Sequence, residues 1–117
     1  MKRMTFQITE KDVEQYAVIS GDDNPIHLDR EAAEQQGFTN KVAHGMLTVA
    51  KVLSVLSNES LLPQVLFSEY EFTFISPVYV GDLVTLTIKQ AEHKIRVEGK
   101  CGERIVVKGC LKVVISK

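Results

Sequence analysis

The hydrophobic pattern divides the chain into two parts with different periods. From about residue 9 to residue 57 the apolar positions recur at helical spacing, and from about residue 64 onward they mostly alternate with polar ones. Neither an internal repeat nor a low-complexity linker separates the two parts. A helical first part followed by a run of strands is typical of an α+β fold. With 117 residues the chain has room for one domain, which we expect to span residues 1–117.

Two helices are predicted before residue 40. Thr9 followed by Asp12 resembles a capping box, which indicates that a helix begins there. The segment 20–25, rich in Gly, Asp and Asn and closed by proline, ends that helix. Asp29 can cap a second helix, which is predicted to run from Arg30 to Gln36.

A third helix is predicted to begin near His44 and Gly45 and to end near Ser57. Its apolar residues, which occupy nearly the whole circumference, are Met46, Leu47, Val49, Ala50, Val52, Leu53, Val55 and Leu56. A helix that is apolar on every side is surrounded by other structure. Lys51 interrupts this pattern, and its ammonium group must reach water or pair with an acid.

The rest of the chain is predicted to form antiparallel strands joined by tight turns. A short strand at 6–8 precedes the helices, and the last strand runs from Arg104 to about Ile115 after a turn at 102–103. The inward-facing residues of two middle strands are expected to be Val84, Leu86, Ile88, Ile95 and Val97. One sheet of this size covers an all-apolar helix only by curling around it. Part of the helix, or a sheet edge, is therefore expected to meet a second copy in a homodimer.

Composition and charge narrow the class of protein. Lys and Arg number 14 against 15 Asp and Glu, so there is no basic excess for sequence-independent binding of nucleic acid. The most apolar segment, 46–56, is broken by Lys51 and is too short to span a membrane. The N-terminal residues lack the apolar stretch of a signal peptide, so a cytoplasmic protein is expected. Cys101 and Cys110 are expected to stay reduced, because the predicted hairpin places Cys101 opposite Arg104.

Polar residues that break the local patterns cluster between Tyr16 and Met46. Asp22 and His27 flank a turn that contains Pro25. A histidine gives and takes protons near neutral pH, and a carboxylate beside it can orient the ring or share a water molecule with it. The spacing therefore suggests an acid/base pair. The alternative is a loop in which Asp and Asn cap backbone amides while His27 fills a gap.

Gly45 lies where the third helix is predicted to begin. A glycine there leaves free N–H groups open to a ligand, and the helix dipole favours developing negative charge. This suggests an oxyanion site for a carbonyl, and the alternative is a glycine that permits close packing of helix and sheet. His27, Asp29 and His44 are possible metal ligands. They show neither the i, i+4 histidine spacing nor a CxxC pair, so no metal is expected.

The same residues resemble a family signature. The segments are Tyr16-Ala17, Ser20-Gly21-Asp22-Asp23-Asn24-Pro25-Ile26-His27-Leu28-Asp29, Ala32-Ala33, Gly37-Phe38 and Val42-Ala43-His44-Gly45-Met46-Leu47. Together they resemble the signature of the (R)-specific enoyl-CoA hydratases, which are MaoC-like dehydratases of the hot-dog fold. A looser likeness continues through residues 72–78 and 81–82.

This resemblance implies a long central helix wrapped by a curved antiparallel sheet, in a dimer or dimer of dimers with active sites at the interface. It implies reversible addition of water to a trans-2-enoyl thioester, giving an (R)-3-hydroxyacyl thioester, without a metal or organic cofactor. The substrate would be carried on CoA or on acyl carrier protein. Asp22 and His27 would be catalytic, and the amide of Gly45 would polarise the carbonyl. Asn24 and Met46 would bind the substrate.

Two other functions of this fold remain open: a thioesterase, which directs water at the carbonyl carbon, and a non-catalytic module that binds acyl thioesters. Some relatives carry a serine that supports the catalytic Asp, where this chain has Leu53 followed by Ser54. Asp23 and Asp29 are interpreted as turn and cap residues, and His44 as structural. The acyl length depends on which aromatic residues block the pocket, the candidates being Phe67, Tyr70, Phe72 and Phe74.

Overall fold

The computed structural model describes residues 2–58 and 65–115, which form a five-stranded sheet and four helices. Along the chain the elements are β1 (Lys2–Gln7), α1 (Glu10–Ser20), α2 (Pro25–Leu28), α3 (Arg30–Gln35), α4 (Gly45–Asn58), β2 (Val65–Phe74), β3 (Leu83–Ala91), β4 (Lys94–Cys101) and β5 (Arg104–Ile115). The strand order is β1-β3-β4-β5-β2, and every neighbouring pair is antiparallel. The predicted α+β class is confirmed.

The sheet curves around α4. Strands β1 and β2 lie at opposite edges of the sheet, yet both contact this helix. In a flat sheet, strands four places apart would be separated by about 19 Å at the usual strand spacing. That is wider than the roughly 10–12 Å diameter of a helix with its side chains. The contacts at both edges therefore require the wrapped arrangement that the resemblance implied.

One chain covers only part of α4. Its buried residues are Leu47, Thr48, Val49, Val52 and Leu56. Met46 is 54% exposed, and Ala50 is also exposed. The expectation that a single sheet leaves part of this helix uncovered is met. Lys51 pairs with an acid as predicted, since its Nζ lies 3.0 Å from Oδ2 of Asp12.

Several local predictions are confirmed because a few neighbouring residues decide them. The Thr9 side chain accepts the N–H of Asp12, whose carboxylate in turn accepts the N–H of Thr9, so the capping box is complete. Asp29 caps α3 by accepting the N–H of Glu31. The alternation predicted for the two middle strands is present, with buried Val84, Leu86, Ile88, Ile95 and Val97.

Two elements, β1 and α3, have bounds that differ from the prediction, and a third, α2, was not predicted. β1 begins at Lys2 and ends at Gln7, because its polar residues pair with β3 along the sheet edge. The segment after Asn24 is not only a turn but a short helix, α2. Asn24 caps this helix and Pro25 occupies its first position, where proline is favoured because its missing N–H would have no partner there. α3 ends at Gln35, one residue earlier than predicted.

The two cysteines are free, and Cys101 lies opposite Arg104 in the β4–β5 hairpin, as predicted. Cys110 pairs instead with Arg96 and Glu71 on the neighbouring strands. In the part of the chain that the structure describes, no helix has both the length and the apolar character needed to cross a membrane.

Candidate active site

Three segments meet at the start of α4: the loop between α1 and α2, helix α2, and residues 42–44. Gly21 ends α1 in a left-handed conformation with φ of 77°, which turns the chain into the loop. The N–H of Val42 donates to the carbonyl of Ile26, and the N–H of Ala43 donates to the carbonyl of Val78. These backbone bonds hold α2 against the residues that precede α4.

The predicted pair, Asp22 and His27, is brought together. Nε2 of His27 lies 3.9 Å from Oδ2 of Asp22. This separation is too long for a direct hydrogen bond, and it is one that a water molecule can bridge. The His27 side chain is 9% exposed and the Asp22 side chain is 54% exposed, so the pair joins a buried ring to a solvent-facing carboxylate.

The hydrogen bonds of His27 determine which of its nitrogens is available. Nδ1 lies 2.6 Å from the carbonyl oxygen of Val42. A carbonyl oxygen only accepts, so Nδ1 carries a proton and donates it to this bond. In the neutral ring the lone pair then belongs to Nε2, which faces Asp22. His27 is thus held as a base that points toward the carboxylate.

His44 contacts both members of the pair, which sequence reasoning did not anticipate. It is 2% exposed, and its Nε2 donates to the backbone carbonyl of Asp22 at 2.8 Å. Its ring is stacked on that of His27, with centroids 3.7 Å apart and an interplanar angle of 24°. The ring of Tyr16 packs against His44 at a centroid distance of 4.8 Å. The feature of the sequence that could have indicated this role is the position of His44 at the predicted start of a buried helix.

Gly45 is the first residue of α4 and is exposed. The first N–H groups of a helix have no intrahelical partner, so they are available to an oxygen of a ligand. A Cβ atom at this position would lie 3.1 Å from Cζ of Phe74, so close packing against the sheet also favours glycine. Both interpretations of Gly45 therefore agree with the structure.

An apolar cavity of about 250 Å³ adjoins Gly45. Its lining includes Val42, Thr48 and Phe74. Of the four aromatic residues considered for the acyl pocket, Phe74 alone lines this cavity among the residues described. Phe72 packs against the core and crowds Gly109 instead. The cavity lies beside the helix start and is not lined by the acid/base pair itself.

The two residues expected to bind substrate differ in their surroundings. The Asn24 side-chain oxygen accepts the N–H of Ile26 at 3.2 Å, and the backbone N–H of Asn24 donates to Oδ1 of Asp22 at 3.4 Å. Asn24 therefore shapes the loop and helps to orient the carboxylate of Asp22. Met46 projects from the first turn of α4 and is 54% exposed. Substrate contact by either residue stays a prediction.

The supporting serine of some relatives has no counterpart in the described contacts. Leu53 is partly buried and packs against the hydrophobic core. Ser54 is exposed and accepts a hydrogen bond from Nδ2 of Asn58 at 3.3 Å. The departure noted in the sequence is therefore present in the structure.

The metal-ligand group named from the sequence was wrong in one member. Asp22, His27 and His44 each place one ligand atom within 4.8 Å of the others, whereas Asp29 is the cap of α3 and lies outside this group. A tetrahedral ion needs lone pairs that converge on one point. The rings of the two histidines are stacked 3.7 Å apart with 24° between their planes, so their in-plane lone pairs lie in two nearly parallel planes.

Comparison with known proteins adds independent findings. A family model described as a MaoC-like domain matches residues 1–109. The chain is 30% identical over 118 residues to the 3-hydroxybutyryl-CoA dehydratase of Methylorubrum extorquens, covering 95% of this chain and 75% of that protein. It is also 30% identical over 118 residues to the mitochondrial 3-hydroxyacyl-[acyl-carrier-protein] dehydratase of Arabidopsis thaliana, covering 92% of this chain and 70% of that protein.

A solved structure supports the same assignment. The (R)-hydratase from A. caviae involved in PHA biosynthesis superposes with a TM-score of 0.79 at 26% identity, covering 98% of this chain and 93% of that one. The hot-dog fold implied by the sequence is thereby confirmed. The similar proteins are hydratases and dehydratases, which are hydro-lyases. With a family model matched along nearly its whole length and the fold shared throughout, the chain belongs to the MaoC-like dehydratase family.

Proposed function

We propose that this protein is an (R)-specific enoyl-CoA hydratase or 3-hydroxyacyl thioester dehydratase, which adds water reversibly to trans-2-enoyl thioesters. The observation that carries the proposal is the 3.9 Å separation between Oδ2 of Asp22 and Nε2 of His27. Two acceptor atoms at this distance can hold one water molecule between them. The named activities of the similar proteins support the same reaction.

In the hydration direction, the pair binds the water and one member removes one of its protons. The water oxygen forms a bond to the β-carbon while the π electrons of the double bond move toward the α-carbon and the thioester carbonyl. The pair then returns the proton to the α-carbon, so the net change is addition of one water molecule. General acid/base catalysis of this kind contributes roughly 100- to 10,000-fold to a rate.

The start of α4 would stabilise the enolate that forms on the way. Its free N–H groups, beginning at Gly45, and the positive end of the helix dipole favour a developing negative charge on oxygen. The adjoining cavity would receive the acyl chain, because it is lined mainly by apolar side chains. The carrier is CoA or acyl carrier protein.

We also propose that the protein works as a homodimer, in which residues 1–117 form one MaoC-like domain. β2 is an edge strand with exposed Leu66, Tyr70 and Phe74, and Met46 on α4 is exposed as well. A second copy would cover these apolar residues. Size-exclusion chromatography with light scattering is expected to show a dimer, and a single species at 13.1 kDa would contradict it. The two free cysteines fit a cytoplasmic protein, in which thiols stay reduced.

The direct test is the loss of enoyl absorbance when crotonyl-CoA is mixed with the protein. Asp22→Asn and His27→Ala are each expected to lower kcat by roughly 100- to 10,000-fold. Asp23→Asn is the matched control, because Asp23 is an exposed acid beside the catalytic one. Full activity in both site variants would refute the mechanism.

The same assay mixture distinguishes a hydratase from the other two candidate functions, a thioesterase and a non-catalytic binding module. A thiol reagent present during turnover detects free CoA, whose release would indicate a thioesterase. Tight binding of an acyl-CoA without either reaction would indicate a binding module. Chiral analysis of the 3-hydroxyacyl product is expected to give the (R) form. The (S) form would contradict the proposed (R) specificity.

A further inference from the structure

We infer that His44 is a positioning residue, which sets the placement of Asp22 relative to His27. This inference rests on the proposed function, since it concerns the acid/base pair of the proposed reaction. In this inference, His44 does more than pack against its neighbours. The three residues lie in different segments, and His44 makes a direct contact with each of the other two.

The backbone of His44 is well anchored. The residue before it, Ala43, donates its N–H to the carbonyl of Val78 at 2.8 Å. The carbonyl of His44 accepts the N–H of Thr48 at 3.2 Å, in the first turn of α4. Thr48 is itself 1% exposed. The backbone that carries the His44 imidazole is therefore held rigidly at the start of α4.

One edge of this imidazole holds Asp22. Nε2 of His44 donates to the Asp22 carbonyl at 2.8 Å, and the N–H of Asp22 donates to Oγ of Ser20 at 3.1 Å. Both backbone groups of Asp22 are thus bonded. One carboxylate oxygen accepts the N–H of Asn24, which leaves Oδ2 to face the catalytic histidine. The direction of this exposed carboxylate follows from the way its backbone is held.

The face of the same imidazole holds His27. The two rings are stacked with centroids 3.7 Å apart, and Nδ1 of His27 is tied to the Val42 carbonyl. Stacking restricts tilt of the ring, and the hydrogen bond restricts its rotation. His44 consequently constrains both atoms that define the 3.9 Å gap between acid and base.

The remaining nitrogen of His44 argues against a role in packing alone. Nδ1 is buried and has no hydrogen-bond partner among the described residues. An unpaired buried acceptor destabilises a fold, so phenylalanine would fill the same space better. What phenylalanine lacks is the N–H that holds Asp22. The donor at Nε2 is therefore the property of His44 that packing does not explain.

Three substitutions separate these roles. His44→Phe keeps the stacked ring and removes the donor, so we expect kcat to fall by about 10- to 100-fold with little change in KM, because misplaced catalytic groups slow the chemical step. Thermal unfolding of this variant is expected at or above the wild-type temperature. His44→Gln places an amide N–H near the position of Nε2 and should recover part of kcat. His44→Asn is too short to do so. His93→Phe, an exposed histidine outside the site, is the matched control.

Wild-type kcat in His44→Phe would overturn the inference and leave the proposed function intact. A glutamine variant as slow as the asparagine variant would overturn the role of the donor. If the wild-type protein does not hydrate enoyl thioesters, the proposed function fails. Nitrogen-15 spectra of the histidine side chains then decide on His44 without turnover. We expect a neutral ring protonated at Nε2 in the wild type, and a sharp Nδ1–H signal of His27 that broadens in His44→Phe. A His44 ring protonated at Nδ1, or a His27 signal that stays sharp, would overturn the inference.

Discussion

Replacing Gly45 by alanine tests whether the open start of α4 serves the substrate or only the packing of helix on sheet. The new Cβ atom would lie 3.1 Å from Cζ and 3.3 Å from Cε2 of Phe74. These contacts are tight, but they involve the far end of an aromatic side chain, which can shift more easily than backbone. A shift of the ring by a few tenths of an ångström would relieve them.

The effect of Gly45→Ala on stability should therefore be small. Moving the Phe74 side chain away from its preferred rotamer costs about 0.5–1.5 kcal/mol. Alanine offsets this, because at a backbone conformation that alanine can adopt it restricts the unfolded chain and stabilises the fold by about 0.4–1 kcal/mol relative to glycine. The two contributions have opposite signs and similar size. We expect the free energy of unfolding to change by less than about 1 kcal/mol.

The effect of the same substitution on the rate should be large. An oxyanion donor acts when the substrate oxygen comes within about 2.7–3.1 Å of it. The methyl group would lie against Phe74, which lines the same cavity as Gly45, and we expect it to narrow the approach of a thioester carbonyl to the first N–H groups of α4. Loss of one such donor lowers kcat by about 100- to 1,000-fold. We expect a loss of this order.

Hydration of crotonyl-CoA and thermal unfolding, measured on the same preparation, separate the two effects. Phe74→Ala is the companion variant, because it removes the ring that the new methyl group would displace. If the rate loss came only from displacement of this ring, Gly45→Ala combined with Phe74→Ala would behave like Phe74→Ala alone. A single Gly45→Ala variant with normal activity and a lowered unfolding temperature would refute the oxyanion role and leave packing as the reason for the glycine.

Three further predictions concern the rest of the chain. Burial opposes ionisation of Asp12, but a backbone N–H and Lys51 still hold its pKa below the usual value. The charge of Asp12 therefore stabilises the fold fully at pH values above its unfolded-state pKa, and this stabilisation is lost as pH falls through its lower pKa in the folded protein. In urea unfolding, we expect Asp12→Asn to be about 1 kcal/mol less stable than the wild type at neutral pH and equally stable in acid. Gly109→Ala would place Cβ 2.5 Å from Phe72 Cε1, and melting should reveal a loss of about 1–3 kcal/mol. The pKa of the Cys101 thiol is raised to about 11, chiefly by burial. Because the thiolate is the reactive form, the alkylation rate of Cys101 should keep rising with pH up to about that value.

The parts of the fold that sequence predicts well are those decided by nearby residues. The capping box at Thr9 and Asp12 involves residues three apart, and the buried alternation in β3 is visible along one strand. The start of β1 at Lys2 depends on pairing with Ile88 across the sheet, which no local pattern shows. Pro25 was interpreted only as the end of a helix, although proline also favours the first position of the next one.

The site divides in the same way. The approach of Asp22 to His27 was predictable, because His27 follows Asp22 by only five positions across a segment that contains Pro25. The bond from His27 to Val42 spans 15 residues, and the bond from His44 to Asp22 spans 22. Such contacts depend on how separate segments pack, so a single sequence does not reveal them. The wrong inclusion of Asp29 in the metal-ligand group has a local cause instead, since its carboxylate accepts the N–H of Glu31 as the cap of α3.

The geometry of the candidate site follows from a short stretch of backbone. Val42 holds the ring of His27 through its carbonyl, His44 holds the backbone of Asp22, and Gly45 presents the free N–H groups of α4. Because these three residues lie within four consecutive positions, the peptide geometry fixes the proposed acid, base and oxyanion donors relative to one another. A shift of the helix start by one residue would move all three contacts together. In this proposal, a helix that supplies part of the hydrophobic core also positions the groups that would carry out the reaction.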